Sequence, residues 1–199
     1  LAERSAYRGP DGINQWVSGE VGIAHLALNT TLESHCEIQP LISKGGDIVL
    51  AADARIDNRS ELLEKLRGFL PFKDVITDAD IILGAYQKWG TDSPKFLIGD
   101  FAFVLWDKVN RMLIAVRDAL GVKTLHYAWI GDDFCVATEA QQILAHPKAK
   151  SKVNELALTM WLIDRFDDSL SMFEGIARIP AGHMLILSGS HLQVKQYWD

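Results

Sequence analysis

Hydrophobic and polar residues repeat with two different periods along the chain, and the changes of period predict where strands and helices lie. Near the start, two short apolar or alternating runs are bounded by glycine and polar residues, over positions 22–28 and 47–55. Such runs are typical of β-strands. The segment between them, residues 29–44, is predicted to be a long connection.

Two segments that follow have apolar residues at helical spacing. Residues 58–70 are predicted to form a helix that Asn58 caps, with Glu61 completing a capping box. Residues 77–89 are predicted to form a second helix that begins at Thr77. The middle of the chain is therefore helical.

From Gly99 onward the period changes to two. Four strands follow in quick succession, over residues 101–106, 112–117, 124–130 and 133–138. Their short connections predict antiparallel neighbours, because a parallel pair needs a crossover of about a dozen residues. Two more helices and a closing hairpin are predicted over residues 139–145, 154–165, 182–187 and 192–197. The pattern predicts an α+β domain in which sheet packs on sheet.

Composition limits the partners that the chain can have. Its 199 residues are enough for one large single-core domain, and the formal net charge is −6. An acidic surface repels phosphate backbones and anionic lipids, so neither nucleic acid nor a membrane is an expected partner. No apolar run approaches the roughly 18–20 residues of a membrane helix. The six histidines lack metal-site spacing, so no metal site is predicted. With only two cysteines there is no disulfide framework, and we expect a cytoplasmic protein.

A series of short motifs is more informative than any one of them alone. They are residues 8–12 (RGPDG), 39–41 (QPL), 53–58 (DARIDN), 77–78 (TD), 99–103 (GDFAF), 117–121 (RDALG), 137–139 (ATE), 179–183 (IPAGH) and 197–199 (YWD). In this order and spacing the chain resembles the N-terminal glutaminase domain of asparagine synthetases, the class II glutamine amidotransferases. The whole chain, residues 1–199, is assigned to one such domain without its extreme N-terminus.

The resemblance implies a fold, a chemistry and a partner. The fold would be an N-terminal nucleophile hydrolase-like, four-layer αββα sandwich with two stacked antiparallel sheets. Family members use an N-terminal cysteine, whose own amine is the base, to release ammonia from glutamine. A C-terminal synthetase domain then uses ATP and Mg²⁺ to amidate a carboxylate. That domain is the expected partner, and no cofactor is expected in this chain.

The resemblance also maps the glutamine site onto His25, Leu26, Asp53, Ala54, Arg55 and Asp78. His25 stands where the family has an arginine that clamps the glutamine carboxylate, and it lacks the two-pronged donor. Asp53 replaces an asparagine that donates to the oxyanion, and Arg55 replaces a glutamate that helps bind the ammonium group. Only Asp78 matches the other ammonium-binding carboxylate. The sequence therefore predicts a degenerate site.

The catalytic nucleophile is missing from the sequence as well. The first residue is Leu1, and neither Cys36 nor Cys135 has a free α-amine. No catalytic residue is therefore assigned.

Structural interpretations of the same residues stay open at this point. His25 could be a strand histidine with a satisfied hydrogen bond, and Asp78 could be the N-cap of its helix. Asp53 and Arg55 share a strand face, so they could pair with each other or with Arg59.

Three functional hypotheses remain. The first is a degenerate glutaminase domain of an ATP-dependent ligase, as in β-lactam synthetases and lasso-peptide cyclases, which resemble asparagine synthetase without using glutamine. The second is part of a working glutamine-dependent asparagine synthetase, with glutamine as ligand, although His25, Asp53 and Arg55 count against it. The third is a non-catalytic structural or dimerisation domain, and a homodimer is left open.

Overall fold

The computed structural model describes residues 2–199, with side chains from Ser5 onward. The strands are β1 (Gly12–Ser18), β2 (Val21–Ala27), β3 (Leu41–Ile42), β4 (Ile48–Ile56), β5 (Gly99–Asp107), β6 (Met112–Arg117), β7 (His126–Ile130), β8 (Asp133–Ala137), β9 (Ala177–Arg178), β10 (His183–Ser188) and β11 (His191–Gln196). The α-helices are α1 (Arg59–Lys65), α2 (Asp78–Trp89), α3 (Ala140–Leu144) and α4 (Glu155–Leu162). Short 3-10 helices cover Ala2–Arg8, Ser34–Cys36 and Gly90–Phe96.

The strands form three antiparallel sheets within residues 2–199. A six-stranded sheet has the order β11-β10-β6-β5-β4-β3, a three-stranded sheet has the order β8-β7-β9, and β1 and β2 form a hairpin. The α+β class and the antiparallel pairing are confirmed. The prediction that all four consecutive strands are neighbours is wrong at one step, because β6 pairs with β10 while β7 belongs to another sheet.

Helices α1 and α2 cover one face of the six-stranded sheet. Leu62 and Ile82 pack there against Phe101 and Phe103 of β5, and all four side chains are buried. On β5, Phe101 and Phe103 point to this face and Ala102 points to the other, because successive side chains of a strand point to opposite faces. The largest apolar core therefore lies between helices and sheet.

The opposite face of the six-stranded sheet packs on the other two sheets. Ala102 and Ala115 meet Leu125 and Ile179 under the three-stranded sheet. Ile23 of the hairpin packs against Val49 and Ala51 of β4 in a separate cluster. Helix α3 then covers the three-stranded sheet through Ala140 and Ile143. The packing contacts therefore run from α1 and α2 to the six-stranded sheet, from that sheet to the two smaller sheets, and from the three-stranded sheet to α3.

Two glycines of the motifs allow close backbone approaches. A Cβ on Gly99, whose φ is +146°, would lie 2.0 Å from the carbonyl oxygen of Arg55. A Cβ on Gly9 would lie 2.7 Å from Leu26. Any side chain would therefore push β5 away from β4 at the first position, and the RGPDG turn away from β2 at the second.

Several local predictions need correction. Asn58 precedes α1, but its amide donates to the carbonyl of Phe96 and its oxygen accepts from the N–H of Ile98, so no capping box forms with Glu61. Helix α1 is shorter than predicted. Strand β1 and the short β3 within residues 29–44 were not predicted, since the apolar residues of β1, Ile13, Trp16 and Val17, do not alternate with polar ones and β3 has only two residues.

Helix α2 begins as predicted. Thr77 caps it, and a reciprocal capping box joins Thr77 to Asp80. Within residues 2–199, no helix is both long and apolar enough to cross a membrane.

Candidate functional site

Asp53 lies on β4, beside the central strand β5, with its side chain partly exposed. Its Oδ1 is 2.7 Å from the Nζ atom of Lys123, which is on the loop between β6 and β7. Neither Arg55 nor Arg59 pairs with Asp53. The interpretation of Asp53 as part of a structural ion pair therefore named the wrong partner. Lys123 was not predicted from the sequence, because it lies far from Asp53 along the chain.

The loop that presents Lys123 is held by the RDALG motif. Asp118 is fully buried, and its carboxylate accepts hydrogen bonds from the backbone N–H groups of Leu120, Val122 and Lys123 at 3.1, 2.9 and 2.9 Å. Three donors on the loop converge on one carboxylate, and these charge-assisted hydrogen bonds stabilise the loop conformation in which Lys123 contacts Asp53 of β4.

Arg117 holds the same loop from beneath. Its Nε donates to the carbonyl of Lys123 at 2.6 Å, and its Nη2 donates to the carbonyl of Gly121 at 2.7 Å. Its Nη1 contacts Asp168 at 2.7 Å. The backbone carbonyl of Arg117 accepts from the Tyr197 hydroxyl at 2.7 Å. The motif is thus a structural device that positions Lys123.

His25 is on β2, opposite Asn14 of β1. Its Nδ1 atom is buried and has no hydrogen-bond partner among the described residues. The interpretation of a satisfied strand histidine is therefore wrong for this nitrogen. Burial lowers the pKa of His25, and the nearby Asp53 carboxylate opposes this only in part. The imidazole is neutral near pH 7 and offers no permanent cation to a carboxylate.

Leu26 and Ala54 are both partly buried. Leu26 packs closely against Gly9 of the RGPDG turn, and Ala54 of β4 pairs with Phe101 of β5. Arg55 is largely exposed, and its Nε lies 3.4 Å from Asp57. The pairing of Arg55 with Asp53 is thus not formed.

Asp78 is the first residue of α2, and Thr77 is the N-cap, so the N-cap interpretation of Asp78 is wrong. The Asp78 carboxylate accepts from the Ile56 N–H at 3.2 Å and from Arg59 Nη1 at 2.6 Å. Burial raises its pKa, and the bonds to Ile56 and Arg59 counteract that rise. The Asp78 carboxylate is therefore already paired with a cation.

Glu37 brings a further carboxylate to this end of α2, and it was not predicted from the sequence. Burial raises the pKa of Glu37, while hydrogen bonds from Gln39 and Thr77 lower it. Gln39 is buried and exchanges two hydrogen bonds with the Ala52 backbone, at 2.6 and 2.9 Å. The QPL motif thereby ties the long connection to β4 beside Asp53.

Three of the charged groups of the site have partners of opposite charge within the protein. Asp53 binds Lys123, Asp78 binds Arg59, and Arg55 contacts Asp57. A free amino acid would have to replace these partners or bind beside neutral pairs. Within residues 2–199, no group of three or more His, Cys, Asp or Glu side chains is arranged to bind a metal ion. Cys36 is exposed and Cys135 is half-buried, and burial raises the pKa of Cys135.

Comparison with known proteins gives the family. The glutamine amidotransferase domain family matches residues 1–198. This chain belongs to that family. Asparagine synthetase [glutamine-hydrolyzing] 3 of Bacillus subtilis is 30% identical over 202 residues, which cover 100% of this chain and 33% of the relative. Amidase chry2 of Gibberella zeae is 31% identical over 198 residues, covering 98% of this chain and 29% of the relative.

Solved structures give the same fold for this glutamine amidotransferase domain. The glutamine phosphoribosylpyrophosphate amidotransferase of B. subtilis superposes with a TM-score of 0.60 at 18% identity, over 91% of this chain and 36% of that chain. A glutamine aminotransferase class-II domain protein of Silicibacter pomeroyi superposes with a TM-score of 0.52 at 7% identity, over 94% of this chain and 91% of that chain. The chain spans about a third of the length of the two curated relatives.

Proposed function

We propose that this chain is a glutaminase-type domain that does not hydrolyse glutamine, within an ATP-dependent, amide-forming protein of the asparagine synthetase type. ATP and Mg²⁺ would act in a synthetase domain, which would be the chain's partner. The fold would be the four-layer sandwich of the N-terminal nucleophile hydrolases. The succession of helix, sheet, sheet and helix contacts supports that assignment.

The ion pair between Asp53 and Lys123 is the observation that carries the proposal. Glutamine hydrolysis passes through a tetrahedral oxyanion, which needs donors directed at it. A carboxylate has no proton to donate, and the Asp53 carboxylate lies 2.7 Å from the Nζ atom of Lys123. Losing one oxyanion donor costs ~3–4 kcal/mol, and a fixed anion in its place costs at least as much.

Recognition of the amino acid is weakened at both of its charges. The carboxylate of glutamine needs a cation, but His25 is held neutral by burial. The ammonium group needs an anion, but Arg59 already occupies Asp78 at 2.6 Å. Arg55 would add a repulsive cation where the family has a glutamate. Opposite charge at both ends is required for a zwitterion to bind, so weak binding is expected.

Calorimetric titration of the chain with glutamine tests recognition directly. We expect no measurable heat of binding. The matched variant carries His25→Arg, Asp53→Asn and Arg55→Glu, and it should gain binding because these changes rebuild the charge pattern of the family. Micromolar affinity of the unmodified chain would refute the proposal.

Turnover of the complete gene product tests whether the protein forms amides with ATP without hydrolysing glutamine. Supplied with ATP and an acceptor carboxylate, it should use free ammonia or an amine of its substrate as the nucleophile. Release of glutamate from glutamine, at a rate that matches product formation, would contradict the proposal.

A further inference from the structure

A groove of about 610 Å³ lies between α4, the segment that follows it and the start of β7. We call it the β7 groove. A smaller cavity of about 280 Å³ shares Thr124, His126 and Phe173 with it, so the two adjoin. Small-molecule sites usually have volumes of about 300–1,000 Å³, so the β7 groove has room for a ligand. None of the residues assigned to the glutamine site lines either cavity.

The segment from α4 to residue 173 gives the β7 groove a largely apolar lining. Six of its large side chains line this one cavity and therefore face the same space, and they are Met160, Trp161, Phe166, Leu170, Met172 and Phe173. Aromatic rings favour other rings in offset or edge-to-face contact, and methionine adapts its shape to a neighbour. The lining is therefore suited to an apolar group, and most of all to a ring.

A cluster of charged groups lies along the same groove. Asp168 Oδ2 is 2.7 Å from Arg117 Nη1, and Asp168 Oδ1 is 3.1 Å from Arg178 Nη2. Asp168 also accepts from the Ala181 N–H at 2.8 Å. Two cations therefore surround one carboxylate, and the cluster keeps an excess of positive charge. Asp168 is not available to a cation of a ligand.

Arg165 adds a cation that has no partner in the protein. It lines the β7 groove, is exposed, and forms no salt bridge within residues 5–199. The carboxylate of Asp167, which lines the same groove, accepts instead from the backbone N–H and the hydroxyl of Ser169, at 2.8 and 2.6 Å. The donors of a guanidinium group match the two oxygens of a carboxylate. Arg165 can therefore bind an acid that enters the groove.

The end of the groove toward β8 carries no free charge. Burial lowers the pKa of His126, so its imidazole is neutral near pH 7. Glu139 lines the smaller cavity, and its Oε1 is 2.6 Å from Arg8 Nη1. The attraction for an anion therefore comes from the arginines at the other end.

We propose that the β7 groove binds a small amphipathic acid. The carboxylate of the ligand pairs with Arg165, and its aromatic or other apolar group packs among the apolar side chains of residues 160–173. Ligand sites are usually apolar with a few polar groups that fix orientation, and opposite charge supplies the specificity. The inference does not depend on the proposed function, because the groove and the Asp53 site have no lining residue in common.

Calorimetric titration of the complete gene product with 4-phenylbutyrate tests the proposal. The matched ligand is 4-phenylbutyramide, which has the same apolar group and no charge. We expect the acid to bind roughly tenfold more tightly, because hydrogen bonds between charged groups contribute more than neutral ones. Arg165→Gln should remove that preference and leave the affinity for the amide unchanged. The control, Arg67→Gln, changes an exposed arginine that lines neither cavity, so the preference should stay.

A second variant tests the apolar lining. Trp161 is 54% exposed, so Trp161→Ala should leave the fold intact and weaken the binding of the acid and the amide by the same factor. Unchanged affinity in this variant would overturn the proposal. Equal affinities of the unmodified protein for the two ligands, or an unchanged preference in Arg165→Gln, would do the same. So would binding to the 199-residue chain alone, because another part of the complete gene product would then cover the groove.

Discussion

Asp118→Asn is the substitution that tests most sharply how the loop before β7 is held. The carboxylate of Asp118 is fully buried and accepts from three backbone N–H groups. One oxygen serves Leu120 and Val122, and the other serves Lys123. Asparagine keeps one acceptor oxygen but puts an NH₂ group in place of the other. Two donors then face each other at the Lys123 N–H.

The expected loss of stability follows from these contacts. A hydrogen bond to a charged group contributes about 1.5–3 kcal/mol, and a donor left without a partner costs about 1–3 kcal/mol. Asparagine loses one such bond outright and weakens the other two, because the accepting oxygen is no longer charged. We expect the free energy of unfolding to fall by about 3–4 kcal/mol. That is a large part of the roughly 5–15 kcal/mol that stabilises an ordinary domain.

Urea unfolding followed by tryptophan fluorescence measures this change. The matched control is Asp132→Asn, in the exposed turn between β7 and β8, which should change the free energy of unfolding by less than about 0.5 kcal/mol. The m-values should stay equal, so that the shift in midpoint reports on stability alone. A loss below about 1 kcal/mol for Asp118→Asn would show that the three hydrogen bonds do not hold the loop.

Two further predictions follow from buried groups. Burial lowers the pKa of His25, so the native state binds fewer protons than the unfolded chain at pH values between that lowered pKa and the ordinary value near 6.5. Stability due to neutral His25 is therefore present above about pH 6.5 and falls as the pH drops below it, by at most about 1.4 kcal/mol per pH unit. In urea unfolding between pH 8 and pH 5, the free energy of unfolding should fall less with decreasing pH for His25→Gln than for the unmodified chain. Equal falls in the two proteins would contradict a lowered pKa of His25. Asp168→Asn removes the carboxylate that contacts Arg117 Nη1 at 2.7 Å, and Arg117 is buried. Because Arg117 retains bonds to three carbonyls, we expect a loss of about 2–3 kcal/mol in urea unfolding. The exposed neighbour Asp167→Asn should cost less than about 1 kcal/mol, and equal effects of the two changes would count against the buried pairing.

Much of the fold could be predicted from local patterns. The hairpin of β10 and β11, the strands β5 and β6, and the helix between Thr77 and Gly90 lie close to their predicted bounds. Each of these segments has strong periodicity and a clear start or stop signal. The misses have local causes. The apolar residues of strand β1 do not alternate with polar ones. The Asn58 amide donates to the carbonyl of Phe96, a residue 38 positions away that no local pattern could identify.

The sequence by itself indicated the family, because nine short motifs occur in the order and spacing of that family, and the family model matches residues 1–198 of the chain. It also predicted which residues occupy the glutamine site, and that assignment stays a prediction. Only the tertiary structure decided how their charges are paired. Lys123 meets Asp53, and Arg59 meets Asp78, across separate elements. Such pairs depend on the reach of long side chains and on loop geometry, neither of which leaves a periodic signal along the chain. Burial of His25 is likewise a property of the packed sheets, because the water it loses is displaced by residues distant in sequence.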